Sequence, residues 1–155
     1  MGFAVGNEIL IGALEKIKSY LDYGAFTPIQ VAAASALSSD PSTIAKVREV
    51  YKKRRNVLVD AMSKAGWEIP SPDATMFAWA PIPEKFKSLG SLEFSKVLLK
   101  EADISVAPGI GFGEYGENFV RIGLVENEHR IRQAARNIKA VFTKADKILS
   151  DHRPN

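Results

Sequence analysis

Cysteine is missing altogether from the 155 residues, and histidine occurs only as His129 and His152. The first absence excludes a disulfide framework and any thiolate metal site, and two scattered imidazoles argue against a metal centre of another kind. A cytoplasmic setting suits a chain without cysteine. There is also no run of about 18 uncharged apolar residues, so no membrane-crossing helix is expected. The N-terminus carries no basic stretch followed by a hydrophobic segment and a cleavage site, so no processed leader is expected. The charge excess is small, +3 at pH 7. A nucleic-acid footprint needs its cations on one surface, and only Lys52-Lys53-Arg54-Arg55 comes near. Four successive helical residues point around more than a full turn, so this run reads as a solvated helix surface and no nucleic-acid partner is expected.

What is present is the composition of a globular protein, 46% apolar and 25% charged, enough for one core. Gly2-Phe3-Ala4-Val5-Gly6 reads as the end of a buried strand. Asn7 can cap a helix whose Leu10, Ala13, Leu14, Ile17 and Leu21 recur at helical spacing, with Gly24 as a natural stop. Thr27-Pro28-Ile29-Gln30 has the form of a capping box with proline at the first helical position. It predicts a helix to about Leu37 that is apolar nearly all round and needs neighbours on several sides. Asp40-Pro41 repeats the signal and opens a long helix, with Ile44, Val47, Tyr51, Leu58, Ala61 and Ala65 on one stripe and Gly66 at its end.

From Trp67 the rhythm changes. Short strands are predicted over 67–69, 76–80, 104–107 and 119–125, with a helix near 92–102. A last helix starts at about Asn127, with Ile131, Ala134, Ile138, Val141, Phe142 and Ala145 facing inward. This order predicts an α+β layer in which helices cover a small, mostly antiparallel sheet. The chain divides near Ser39, residues 1–39 belonging to something larger and residues 40–155 forming a unit with its own core.

Within Phe119-Val120-Arg121-Ile122-Gly123-Leu124, alternation puts Val120, Ile122 and Leu124 on one face and Phe119, Arg121 and Gly123 on the other. Arg121 thus stands inside a strand beside a residue without a side chain. That leaves room above a guanidinium whose fork can grip a carboxylate through two parallel hydrogen bonds. Spacing alone favours an ordinary strand with its polar face to solvent. Gly111-Phe112-Gly113-Glu114-Tyr115-Gly116 fits the G-x-G-x-x-G pattern, yet a strand follows where a dinucleotide site needs a helix, and Arg136 stands where the ribose-binding acid belongs. It reads as a glycine-rich loop between strands. His129, near Glu126 and Glu128, reads as a solvated helix end, and no catalytic triad or carboxylate pair can be singled out.

Several segments together resemble one family. Residues 16–30, Tyr51-Lys52-Lys53-Arg54-Arg55, Met76-Phe77-Ala78-Trp79, Val106-Ala107-Pro108-Gly109-Ile110-Gly111-Phe112-Gly113, Phe119-Val120-Arg121-Ile122 and residues 125–134 look like class I/II aminotransferases. They look most like the glutamate–pyruvate (alanine) branch, often catalogued as aspartate aminotransferases. The resemblance runs over essentially the whole chain, with segments agreeing in order and spacing.

The resemblance implies the C-terminal part of a fold-type I enzyme that uses pyridoxal 5'-phosphate to move an amino group between an amino acid and a 2-oxo acid. Residues 1–39 would be the last strand and helices of the large α/β domain. Residues 40–155 would be the connecting helix and small C-terminal domain. Arg121 would bind the substrate α-carboxylate. Tyr23, Gly24 and Thr27 would lie on a loop near the active site at a homodimer interface. The family's Schiff-base lysine and phosphate-binding groups match nothing here, so this chain is expected to hold no catalytic residue, to bind no cofactor and to be inactive alone. The alternative is a non-catalytic small domain that self-associates or binds a partner through the helices at residues 7–37.

Overall fold

The computed structural model of the chain describes residues 1–151. They divide into two compact units, Met1–Ile44 and Ala45 onward. In the first, the Asn7 side chain accepts the N–H groups of Ile9 (3.0 Å) and Leu10 (3.4 Å) and so opens α1, Glu8–Leu21. The helix ends where Tyr23 (φ 53°) and Gly24 (φ 92°) turn left-handed. Asp22, beside them, is held below the usual carboxylate range by the hydrogen bond from Lys18 and then by the Gly24 N–H. The second helix, α2, spans Thr27–Leu37. Its start corrects the capping-box expectation: Phe26 occupies the cap position without a side-chain bond, and Gln30 donates to the Ala25 carbonyl instead. Threonine is drawn one position into the helix beside its proline, where its hydroxyl no longer reaches the free N–H groups.

Residues 1–6 form no strand and are exposed. A lone extended segment has no ladder partner in this unit, and backbone groups without one remain with water. Neither α1 nor α2 buries any residue, although Ile9, Leu10, Phe26 and Val31 are among their side chains or next to them.

The long helix α3, Ser42–Lys64, starts on Asp40, whose carboxylate accepts the Ser42 N–H (3.0 Å) and hydroxyl (2.6 Å). Those two bonds, the hydroxyl's first, hold it below the usual carboxylate range. Only the C-terminal half of the expected stripe is covered: Leu58 and Ala65 are buried, and Met62 outside it is buried too, while Ile44 and Val47 are exposed. The helix stops at Gly66, φ +89°.

The second unit is built on three strands: β1 (Phe77–Pro81), β2 (Ala107–Pro108) and β3 (Phe119–Gly123), in the order β1-β3-β2 with both pairings antiparallel. Helices α4 (Gly90–Ala102), α5 (Glu128–Thr143) and α6 (Ala145–Asp151) complete it, with 3-10 turns at Glu84–Leu89, Gly109–Phe112 and Glu114–Gly116. Ala78, Ala80, Val120 and Leu124 turn one sheet face into a core shared with Phe94, Val97 and Leu98 of α4 and Ile131, Ile138 and Val141 of α5. Trp67 lies at its centre, edge-on to Phe94 at 5.7 Å, and its indole N–H donates to the Pro81 carbonyl at 2.8 Å. Each large apolar side chain buried this way contributes about 2–3 kcal/mol before chain entropy is set against it.

Three expected elements differ. Residues 67–69 are not a strand: Pro70 follows at once, and Trp67 and Ile69 are held by buried side chains rather than by a ladder. The strand over 104–107 shrinks to Ala107–Pro108, because the Ile104 N–H is taken by the Leu98 carbonyl as α4 ends through left-handed Asp103. The last helix breaks at Lys144 into α5 and α6, next to Thr143, whose hydroxyl bonds back to the Lys139 carbonyl, a pattern that bends helices.

Candidate functional site

The sheet face turned away from the core carries Phe77, Trp79, Phe119, Arg121 and Gly123. Registration brings them together: Phe77 lies opposite Gly123, Trp79 opposite Arg121, and Ala107 flanks Arg121 from the other edge. The guanidinium carbon of Arg121 stands 4.2 Å from the Phe77 ring centroid and 4.4 Å from that of Phe112. Trp79 in turn meets Phe112 edge-on (5.6 Å) and stacks on Phe119 (5.5 Å).

The room expected above the guanidinium is therefore partly filled by aromatic rings. Gly123 gives Phe77 the space for this, since no side chain stands across the strand from it. Rings so close to a cation attract it by their quadrupole and shield it from water. Among the described residues, no carboxylate and no hydrogen-bond acceptor meets the Arg121 side chain. A half-buried, ring-supported guanidinium with its donors unclaimed is equipped to bind a carboxylate from outside.

Phe112 reaches Arg121 on the glycine-rich loop, and the glycines there do separate jobs. Gly113 adopts φ +113°. Gly109 and Gly116 lie back to back: a Cβ on either would strike the other's carbonyl, and one on Gly109 would also lie 2.5 Å from the Phe119 carbonyl oxygen. The loop is two 3-10 turns leading into β3, not a cradle opening onto a helix. The part of Gly109 in this contact is not legible from spacing, since it stands outside the G-x-G-x-x-G pattern.

The basic run on α3 does not form one surface. Arg54 turns in to donate to the carbonyls of Leu124 (3.0 Å) and Val125 (3.1 Å), pinning the exit of β3, and Arg55 donates to Pro72. Lys52 and Lys53 remain exposed. Glu128 faces Lys53 at 3.7 Å; its carboxylate accepts its own backbone N–H and, with Lys53 and Arg54 near, lies below the usual range. His129 is exposed in the first turn of α5, and His152 lies outside the described residues. Among the described residues no group of His, Asp or Glu could hold a metal ion, and no helix is long and apolar enough to cross a membrane.

Tyr23, Gly24 and Thr27 belong to the first unit, and Arg121 belongs to the second. Tyr23 and Gly24 line a shallow hollow with Phe3, Leu14 and Lys18, and Thr27 does not. A cleft of about 600 Å³ in the second unit, among Met62, Ile104, Glu126 and Asn137, reaches Ile122 and Gly123 but is not lined by Arg121, and gathers no buried polar group that could orient a ligand.

Comparison with known proteins adds to this geometry. The sequence model of the family described as "Aminotransferase class I and II" matches residues 1–138. AatC of Rhizobium meliloti (strain 1021) is 68% identical over 96% of this chain and 37% of its own length. The glutamate-pyruvate aminotransferase AlaC of Escherichia coli (strain K12) is 54% identical over 96% of this chain and 36% of its own length. Among solved structures, apo-BacF from Bacillus subtilis superposes with a TM-score of 0.80 at 34% identity, covering 88% of this chain and 35% of that one. The chain thus spans little more than a third of the length of the relatives it matches.

Proposed function

Since the chain belongs to the class I and II aminotransferases, we propose that it supplies the carboxylate-binding part of an active site that moves an amino group between an amino acid and a 2-oxo acid. The amino acid would be of the alanine, glutamate or aspartate class, and Arg121 the residue that grips its α-carboxylate. The observation that carries this reading is the ring-supported, unpaired guanidinium on the open sheet face. Two charge-assisted hydrogen bonds from it would fix the carboxylate and with it the direction of the bonds at the α-carbon, a positioning effect worth several kcal/mol.

The family's cofactor is pyridoxal 5'-phosphate, which serves as the electron sink when bound. The residues present do not fit it. A lysine that forms a Schiff base works from a desolvated setting that favours its neutral amine, and every lysine of this chain lies at an exposed position. The glycine-rich loop lacks the helix N-terminus that would receive a phosphate.

On this reading residues 1–39 belong with the large domain of the parent enzyme, and residues 40–155 are the connecting helix and small domain. Exposed Tyr23, with Gly24 and Thr27, would face the active site of a cytoplasmic homodimer. The 155 residues alone, incubated with pyridoxal phosphate, should show no alanine-dependent turnover. Borohydride reduction should leave weak labelling scattered over many lysines. One stoichiometrically labelled lysine would overturn this.

A second reading has its own support, the bare apolar side chains of the first unit: Ile9, Leu10 and Leu21 are 70% exposed or more. A surface of that kind favours association. Light scattering should give a mass above that of a monomer, whereas a monomer with residues 7–37 well protected from hydrogen exchange would count against association through these helices.

A further inference from the structure

The loop carrying Phe112 is anchored at a distance. Ser91 is completely buried at the start of α4; its N–H donates to Oε1 of Glu117 (3.1 Å) and its hydroxyl to Oε2 (2.8 Å). The same hydroxyl oxygen accepts the Ile110 N–H at 3.1 Å. Gly90, φ +70°, is bare because a Cβ there would strike the Glu117 carboxylate. Both Glu117 oxygens are thus engaged at a helix N-terminus, where free N–H groups favour an anion. One serine hydroxyl links that anchor to the turn Gly109–Phe112. Among the described residues it is the one side-chain hydrogen bond that reaches this turn. Phe112, two residues beyond Ile110, rests on Arg121 and Trp79.

We propose that Glu117 is a positioning residue for Arg121: acting through Ser91 and Ile110, it holds Phe112 against the guanidinium and so sets the direction of the donors. Its importance for substrate binding rests on the reading of Arg121 given above; the linkage itself does not. A residue that merely caps α4 would stabilise the helix without affecting Arg121 in particular, so the test must read Arg121 apart from the fold.

The two tryptophans make this separation possible, Trp67 being 1% exposed in the core and Trp79 38% exposed on the Arg121 face. In the full chain labelled with 5-fluorotryptophan, fluorine resonances report core and site at once. The Arg121 Nε–H resonance, identified by its loss in Arg121→Lys, reports the ring currents of its neighbours. Ser91→Ala, which removes the relay but leaves the Ser91 N–H to Glu117, should shift Arg121 and Trp79 and leave Trp67 in place. Glu117→Ala should do the same, and Glu117→Gln, which keeps an acceptor oxygen, should restore most of the wild-type pattern.

In a Phe112→Ala background Ser91→Ala should have no further effect on Arg121. The proposal is overturned if Ser91→Ala leaves Arg121 unmoved, if its effect persists undiminished without Phe112, or if Trp67 moves along with Arg121. Should Glu117→Ala fail to fold, Ser91→Ala decides alone. A titration with acetate keeps the two readings apart: a wild-type Arg121 that ignores acetate would count against the carboxylate role and leave the linkage standing.

Discussion

Arg121→Lys should lower kcat/KM about a hundredfold, and Arg121→Ala about a thousandfold, in a chimaera where this chain replaces the matching segment of the Escherichia coli AlaC relative, to which it is 54% identical. Hydrogen bonds to charged groups are worth about 1.5–3 kcal/mol each. Lysine keeps the charge but loses the planar fork, so one directed bond goes and the carboxylate can swing. Alanine loses both bonds and the cation that Phe77 and Phe112 support. The loss should appear in kcat as well as KM, since a carboxylate held by one contact no longer presents its α-carbon in a fixed direction. Steady-state kinetics with alanine and 2-oxoglutarate measure it. Full activity in Arg121→Ala would remove the carboxylate-binding role.

Gly109→Ala is expected to destabilise the second unit by about 3 kcal/mol or more, at the upper end of overpacking effects. The added methyl meets the backbone carbonyls of Gly116 and Phe119, neither of which can rotate out of its way as a side chain would. Gly116→Ala meets the reciprocal obstacle in the Gly109 carbonyl and should cost a similar amount. The two substitutions together should cost less than their sum, because either one already separates the two backbones. Urea unfolding of the single and double variants checks this. Full additivity, or single variants as stable as the parent, would show that the turns slide apart freely. A native domain has only some 5–15 kcal/mol in hand, so each single change is a large fraction of it.

Patterns that depend on near neighbours were legible in the sequence. Asn7 caps the helix it was expected to cap, and the last helix starts at Asn127 as its pattern predicts. The alternation through 119–124 puts Arg121 with Phe119 and Gly123 on one face and Val120 and Leu124 in the core. What escaped depends on partners remote in the chain. Arg54, which spacing places on a solvated face, reaches across to Leu124 and Val125. Glu117 caps a helix that starts well before it. The aromatic support of Arg121 belongs to the same class, since Phe77 and Phe112 come from separate segments that only the fold brings together. Spacing carries no trace of such contacts.

The strand order β1-β3-β2 also has a consequence for synthesis. During translation β1 and β2 emerge first, and in the finished sheet neither pairs with the other. Until Gly123 has cleared the ribosome, both wait with unpaired edges, β1 displaying Phe77 and Trp79. Pairings between distant segments are slow to form, and exposed apolar edges invite chaperones and aggregation meanwhile. The strand that both must wait for is the one bearing Arg121, so this three-stranded sheet cannot begin to form before its guanidinium has been made.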